Sequence, residues 1–588
     1  MAKRIIEDLC SALNIAALLI VGSVTLTPQS VFSQGFSTRA SEAIPLVAPA
    51  VQGDTGFVVV APDRGFLGNE EVRDAFRRFS ELFRAELAFL PWDGDVARYV
   101  RRAVTRLSDR GAGRVVVLPL VVADSHPLLR RLEQSFRDDL ADVLMAKSFG
   151  KSYLAEEVLI DRLKASALLN PAVRGSGRDG DSEGEKTAIV IVSGGAFGDE
   201  EEIRGIEDEV QGLVRPVGSY FDVSETRTVV LRHITGGVDG VQASLEYFKV
   251  EVDQLVESHD QVVVVPFYLS QRMDSMMDEV QFLRRQVDGK QVVVLPPGPL
   301  PHELVTLWMC QEANRWVPLR KDEVGFVVMP HGSDIDWNES IRESLAELEQ
   351  DYPLEYAFSM ADSEVLRRSV RRLEARGYRG IVVLRVFSME SSFRERIDWL
   401  LGLSEMSGNS MGMGLPKRVR SASLFATLGG VEDHPLFARA LLDRALEIST
   451  RPTEEALFLL GHGTGPGPSN QKWLDNLASI REQINDLGHE FASVHVANWQ
   501  EDWPALRDLA VAEIRALVDM EIEQGRAVLV VPARITGTGP EIGELAHLEH
   551  VRVGTGFAPH PLFRTWASSQ FDAGRRLLME AVNTATDR

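Results

Sequence analysis

Runs of consecutive aliphatic and β-branched residues punctuate this chain, and between them apolar positions recur at helical spacing. The rhythm is clearest over residues 323–452. Strands are predicted there at 324–329, 354–358, 380–386 and 420–426, with helices near 337–350, 363–376 and 392–403 and a last helix from Pro435. The strand runs are continuously apolar rather than alternating, as in a parallel sheet buried on both faces. Residues 453–588 repeat the plan with strands near 456–460, 491–496, 526–531 and 550–554. Residues 187–318 predict strands at 188–192, 226–232, 261–266 and 291–295. Residues 56–170 predict strands at 56–60, 86–90 and 113–119, with the fourth left undefined. A polar stretch rich in glycine and serine, 171–186, predicts a flexible linker, and 404–417 a loose loop. The expected fold is α/β. It comprises four units, each a parallel four-stranded sheet with helices on both faces.

Local motifs repeat with the strands. Two first strands run into His-Gly turns, at Pro330-His331-Gly332-Ser333 and Gly461-His462-Gly463-Thr464. Asn69, Asn338 and Asn470 stand seven or eight residues beyond the equivalent turns, where an Asn can cap a first helix. The closing helices begin with Asp433-His434-Pro435-Leu436-Phe437 and Pro559-His560-Pro561-Leu562-Phe563, and Pro301-His302-Glu303-Leu304 stands at the same place in the second unit. Such repetition predicts a shared structural role for His302, His434 and His560. An imidazole at the carboxyl end of a parallel strand stands where open α/β sheets bind their ligands.

Bulk properties narrow the function. A chain of 588 residues suggests roughly four units of about 150 residues. A net charge of −23 argues against a general nucleic-acid or anionic-membrane surface. With only Cys10 and Cys310 there is no disulfide framework. Lys3 and Arg4 precede an apolar run from Ala12 to Leu26, shorter than the roughly 20 residues of a spanning helix, so residues 1–45 predict a signal peptide or N-terminal anchor and an exported, periplasmic or extracellular protein, with a cytoplasmic one as the alternative. The expected form is a monomer, with no other membrane segment.

The candidate chemistry centres on imidazole. His462, His495 and Glu541 or Glu544 lie at the carboxyl ends of neighbouring strands of one predicted sheet, a His/His/carboxylate set suited to Co²⁺, Ni²⁺, Fe²⁺ or Zn²⁺. The structural alternative makes His495 a buried, hydrogen-bonded strand residue and the glutamates helix N-terminal charges. His331 is the other candidate, and His126 a lesser one. The turn from Gly461 to Gly467 lacks the Gly-Lys-Ser/Thr of a phosphate loop and the spacing of a dinucleotide fingerprint, so no nucleotide is expected. No Gly-x-Ser-x-Gly elbow accompanies the His-Gly turns, which excludes an esterase. Met406, Met411 and Met413 read as linker residues.

Taken together, His331-Gly332-Ser333 with Asn338, Glu355-Tyr356-Ala357-Phe358, Gly377-x2-Gly380-Ile381-Val382-Val383-Leu384 and Asp433-His434-Pro435-Leu436 resemble the class II chelatase superfamily, which includes the CbiX-type sirohydrochlorin cobalto- and ferrochelatases. The resemblance implies that the four units are half-units arranged as two bilobal modules over 56–318 and 323–588, each with two α/β lobes around a cleft, and that a divalent metal, cobalt or iron, is inserted into a tetrapyrrole. It implies metal chemistry at a His after the first strand, a carboxylate after the second and a His after the third. His331 and His462 match the first. Met360 stands at the carboxylate place of the third unit, with Ser391-Ser392-Phe393 in its second-His region. In the first unit Ala61 replaces the first His and Pro91 the carboxylate, while His126 lies near the second-His position. No unit carries the full triad. A sirohydrochlorin-type ligand carries eight carboxylates, which the resemblance would pair with Arg385 and Arg534, or Arg394 and Arg396. The expected activity is that of a metal chelatase, a lyase. The alternative is a non-catalytic exported binder of metal or tetrapyrrole on a degenerate chelatase fold.

Overall fold

The computed structural model describes residues 44–51, 53–139, 143–169, 186–269, 279–405, 416–539 and 542–586. Nearly all of the predicted leader and of the 171–186 linker, the three loop methionines and Glu541 lie outside the described residues. Unit 1 contains β1 (Thr55–Pro62), α1 (Gly65–Ser80), β2 (Ala85–Leu90), α2 (Ala97–Asp109), β3 (Arg114–Pro119), α3 (Pro127–Asp139), β4 (Val143–Met145) and α4 (Tyr153–Ala165). Unit 2 follows with β5 (Thr187–Ala196), α5 (Glu200–Val214), α6 (Val217–Tyr220), β6 (Glu225–Arg232), α7 (Val238–Ser258), β7 (Gln261–Pro266), α8 (Glu279–Gln286), β8 (Val292–Val294) and α9 (Glu303–Asn314). Unit 3 has β9 (Val324–Pro330), α10 (Ile335–Leu345), β10 (Leu354–Tyr356), α11 (Ser363–Ala375), β11 (Gly380–Val386), α12 (Arg394–Leu400), β12 (Leu424–Gly429) and α13 (Pro435–Ile448). Unit 4 has β13 (Glu455–Gly461), α14 (Pro468–Asp486), β14 (Ser493–Asn498), α15 (Pro504–Glu523), β15 (Ala527–Pro532), α16 (Gly543–Ala546), β16 (Val551–Val553) and α17 (Pro561–Thr586).

All four sheets are parallel and share one order, second strand, first, third, fourth. The α/β reading therefore holds in all four units. Two strands sit later than expected. β12 starts at Leu424 rather than 420, because Ser421 and Ser423 are tied to the buried Glu374 and the chain before them runs between modules. β14 spans Ser493–Asn498 rather than 491–496, which later moves His495.

Alternate residues of each first strand serve two different cores, as the pleat requires. In β1, Phe57, Val59 and Ala61 enter one core and Val58 and Val60 another. The inner core of the first module is shared by units 1 and 2, and that of the second by units 3 and 4. The outer faces keep private cores under their own helices. Much of each inner layer is exchanged between units. The closing helix of unit 4, α17, packs on β11 and β12 of unit 3, and α13 of unit 3 packs on β15 of unit 4. Gly574 lets α17 approach: a Cβ there would lie 2.5 Å from Val382. Phe571 on the same helix packs on Phe326 at 4.9 Å and Tyr352 at 5.1 Å. In the first module α9 of unit 2 lies on α1 and β3 of unit 1, and Trp308 meets Phe149 edge-on at 5.5 Å.

His302, His434 and His560 act alike. Each Nδ1 accepts the amide two residues on, from Leu304, Leu436 and Leu562, capping its closing helix. Two are also gripped from the partner lobe. Asp161 and Asp443 lie 3.5 and 3.7 Å from the Nε2 atoms of His302 and His560. The adjacent Arg162 donates to the carbonyl of Pro266, at the end of β7, and to that of Pro296, beyond β8, and Arg444 donates to the carbonyls of Gly556 and Pro559, beyond β16. The same clamp is thus built twice.

The modules join through residues 416–423. Arg418 pairs with Glu156 and stacks 3.5 Å over Trp399, Arg420 bridges Glu157 and Asp161, and Tyr153 donates to Val419 O. Burial pushes the Glu156 carboxyl up to about 7 despite Arg418. Arg379, fully buried, donates to Asn314, Val317 and Pro318 carbonyls and to Glu323. Residues Ile44–Arg588 form one compact unit.

The exchange makes a discriminating prediction. Phe571→Ala should cost about 3–5 kcal/mol by chemical denaturation. Hydrogen exchange should rise first in β9 and β11, which Phe571 covers, rather than in β13 and β15 of its own unit.

Candidate functional site

The carboxyl ends of the first three strands in each unit carry its polar and aromatic turn residues, and the two modules have filled these positions differently. In unit 4, β13 ends at Gly461 and delivers His462 to the turn. Its Nδ1 lies 2.8 Å from Gly463 O, so the ring proton is donated there and Nε2 carries the lone pair. Glu501 and Asp502, in the turn after β14, each place a carboxylate oxygen 3.6 Å from that Nε2. Trp473 of α14 lies nearly parallel to the imidazole, with ring centroids 6.0 Å apart. Arg534, after β15, contacts both oxygens of Glu501 at 2.9 and 3.0 Å. Three strand ends thus give an ordered chain of guanidinium, carboxylate and imidazole. Glu501 is nearly enclosed, and Asp502 is open to water.

The other predicted ligands do not join His462. His495 lies inside β14, three residues before its end. Its Nε2 is 2.7 Å from the buried Glu521 of α15, and its ring stacks on Phe458 across the sheet at 4.5 Å. Glu521 also takes bonds from Ser493 and Arg526. His495 is therefore a bonded strand residue, and the expected His462–His495 pair does not form. Glu544 is exposed on α16, where its carbonyl accepts from Arg515. Glu541 lies outside the described residues. Among those residues no group of three or more His, Cys, Asp and Glu side chains is placed to hold a metal ion.

His331 occupies the equivalent turn of unit 3 and makes the same Nδ1 contact, to Gly332 O at 2.8 Å. It is exposed and faces Phe387 edge-on at 6.5 Å, with no carboxylate paired to it among the described residues. Arg385, expected to meet ligand carboxylates, is instead enclosed. It donates to the carbonyls of Glu390 and Ser392 and pairs with the Glu390 carboxylate. As the penultimate residue of β11 it points into the sheet's packing rather than out of its end. Arg394 pairs with Glu390 and Asp398, and Arg396 donates to Ala361 O.

The first module closes its cleft with rings. Trp92, beyond β2, stacks face to face on His233, beyond β6, at 3.7 Å and 9°. Its indole donates to Asp63 O at 2.7 Å, and Phe197 meets it edge-on at 5.9 Å. His126 caps α3 through Nδ1 and lies 5.5 Å from the same indole. Arg64 sits 5.2 Å over the ring of Tyr268. Gly195, with φ of +112°, admits His126: a Cβ there would be 2.6 Å from Nε2. All of Arg64, His126, His233 and Tyr268 are buried.

Neither a protein-family model nor a curated protein matches the chain. Solved structures similar to it include a Deinococcus radiodurans protein described as multi-domain, with structural similarity to chelatases and two additional novel domains. The match has 17% sequence identity and a TM-score of 0.29, and covers 44% of this chain and 54% of that one. This chain thus spans about half of that protein's length.

Sequence reasoning missed Glu501 and Asp502, although the acidic pair directly follows a strand, because β14 was expected to stop two residues early. It also passed over Trp92, His233 and Tyr268, each just beyond a strand end.

Burial, with Arg64 and His233 adding positive charge, pushes the His126 imidazole down to about 3. The unfolded chain binds this proton near pH 6.5 and the folded protein does not. The stability it contributes is therefore complete above pH 6.5 and is lost as pH falls toward 3, by roughly 4 kcal/mol in all. His126→Asn retains a capping acceptor and removes the titration. The stability gap between wild type and this variant should shift by that amount between pH 7 and pH 3.5 in denaturant titrations.

Proposed function

We propose that this protein is a chelatase-like metal- and tetrapyrrole-handling protein whose working cleft lies in the second module, with His462 as the acid–base group. One observation carries the reading: the His462 Nε2 lone pair is presented at a strand end between two carboxylates, while its other nitrogen is pinned. Metal insertion into a tetrapyrrole requires a base for two pyrrole protons. A neutral imidazole with a free ring nitrogen can take one and release it to water. Glu501 and Asp502 would stabilise the resulting imidazolium, and Arg534 fixes Glu501 in place. A cobalt or iron ion enters here as substrate. The loose donor set favours a cation in transit over a resident one, since one imidazole and two longer-range carboxylates do not make a closed coordination shell.

The second reading, an exported binder without turnover, draws support from Arg534, whose charge already occupies Glu501, and from the filled cleft of the first module. The two readings separate in one experiment. Wild-type protein should accelerate Co²⁺ or Fe²⁺ insertion into sirohydrochlorin, followed by absorbance. His462→Ala should lower that rate by about 10²-fold or more, as loss of a general base does, and His331→Ala should lower it less. Binding of metal or tetrapyrrole by calorimetry with no acceleration would select the binder, and the absence of both would exclude either reading.

A further inference from the structure

The helix that follows the His462 turn touches both lobes of the second module. Along α14, Lys472, Asn476, Ser479 and Gln483 recur at spacings of four, three and four, so they form one stripe. All four meet one pair of adjacent residues in unit 3. Lys472 Nζ lies 3.2 Å from one oxygen of the Glu432 carboxylate, and Asn476 donates to the other. Ser479 donates to the Asp433 carboxylate at 2.7 Å, and Gln483 to the Asp433 carbonyl at 2.8 Å. Glu432 also accepts the amide of Glu390, in the turn after β11. Its φ is +50°, a left-handed conformation that disfavours any residue carrying a side chain. The bonds to its carboxylate hold it there.

The other side of α14 holds the imidazole turn. In the first turn of the helix, Asn470 accepts the Thr464 amide at 3.1 Å and a bond from Asn498, the last residue of β14, at 3.0 Å. Trp473, next to Lys472 in the chain, lies beside His462. Gly461 makes room for this arrangement, since a Cβ there would be 2.6 Å from Asn498 Oδ1 and 2.8 Å from Trp473 Nε1. Unit 3 offers a reference. Asn338 of α10 accepts the Ser333 amide at 3.1 Å in the equivalent turn. Ser340, which stands where Lys472 does, meets Thr536 of unit 4 as an uncharged hydroxyl pair at 3.1 Å.

We propose that Glu432 is a positioning residue for the His462 site and that the two lobes regulate that site through it. With Glu432 engaged, α14 is held against unit 3 and keeps the His462 turn ordered. Parting the lobes releases the stripe and loosens the turn, so the cleft presents an aligned imidazole when it is closed. The regulatory meaning of this latch rests on the reading of His462 as the working imidazole.

Hydrogen exchange of the full chain, resolved to single amides, tests the coupling. Glu432→Ala should speed exchange of the Thr464 amide by about tenfold, the worth of one charge-assisted hydrogen bond, and leave the Ser333 amide unchanged. Glu432→Gln, which keeps an acceptor for Glu390 and Asn476, should restore most of the protection. Modification by diethyl pyrocarbonate, read by mass spectrometry, should likewise quicken at His462 and not at His331. Should Glu432→Ala fail to fold, Lys472→Met, at a side chain 52% exposed, should speed Thr464 exchange in the same sense and to a smaller extent. Unchanged Thr464 exchange in these variants, or equal acceleration at Thr464 and Ser333, would overturn the proposal, the second outcome marking a merely structural role. Neither readout involves turnover. An inert protein with a working latch refutes the acid–base reading alone, and an active protein whose Thr464 amide ignores Glu432 refutes the latch alone.

Discussion

A parallel four-stranded sheet has two apolar faces, and in this protein the helices that one unit places against it do not cover both. Each unit seals its outer face with its own helices, while its inner face shares a core with the neighbouring unit and is completed there by the neighbour's closing helix. Hydrophobic burial thus sets the pairing of lobes, because separating them would expose the inner layers of both. The rest of the arrangement follows. Sheets held in this way keep the ends of their first three strands at the cleft side, where the functional turns are.

The clamp formed by Asp161, Arg162 and His302, repeated by Asp443, Arg444 and His560, shows which parts of the plan both modules keep. It joins a helix cap to the partner lobe's strand exits and so aligns the lobes. The turns that face the cleft, by contrast, differ between modules. One has an imidazole beside water-accessible acid, with Trp473 lying alongside. The other has two imidazoles packed against one indole and buried from solvent. The same backbone framework supports a polar site in one module and an aromatic plug in the other, because strand-end turns bear little of the load of the core.

Much of the architecture was legible in the residues. Uninterrupted Val and Ile runs cannot satisfy a sheet with one wet face, so the parallel, doubly covered class and most strand positions could be read directly. The His-Pro-Leu phrases also announced their capping role through repetition. Side-chain direction was less legible. His495 and Arg385 were read as strand-end residues, but a two-residue error in β14 leaves His495 half-buried within the strand and bonded to Glu521, and the inward turn of the penultimate position in β11 encloses Arg385. A pleat reverses direction at every residue, so site assignments tolerate less error than fold assignments. Helix exchange was not legible at all. An amphipathic closing helix displays the same stripe whichever sheet it covers.

That exchange changes what counts as a unit of inheritance. A gene fragment encoding a single quarter of this chain would specify a sheet with one naked face and a helix shaped for someone else's. The smallest piece able to survive copying is therefore a pair. A lone quarter would have to meet a second copy, or a neighbour, before its inner layer could leave water.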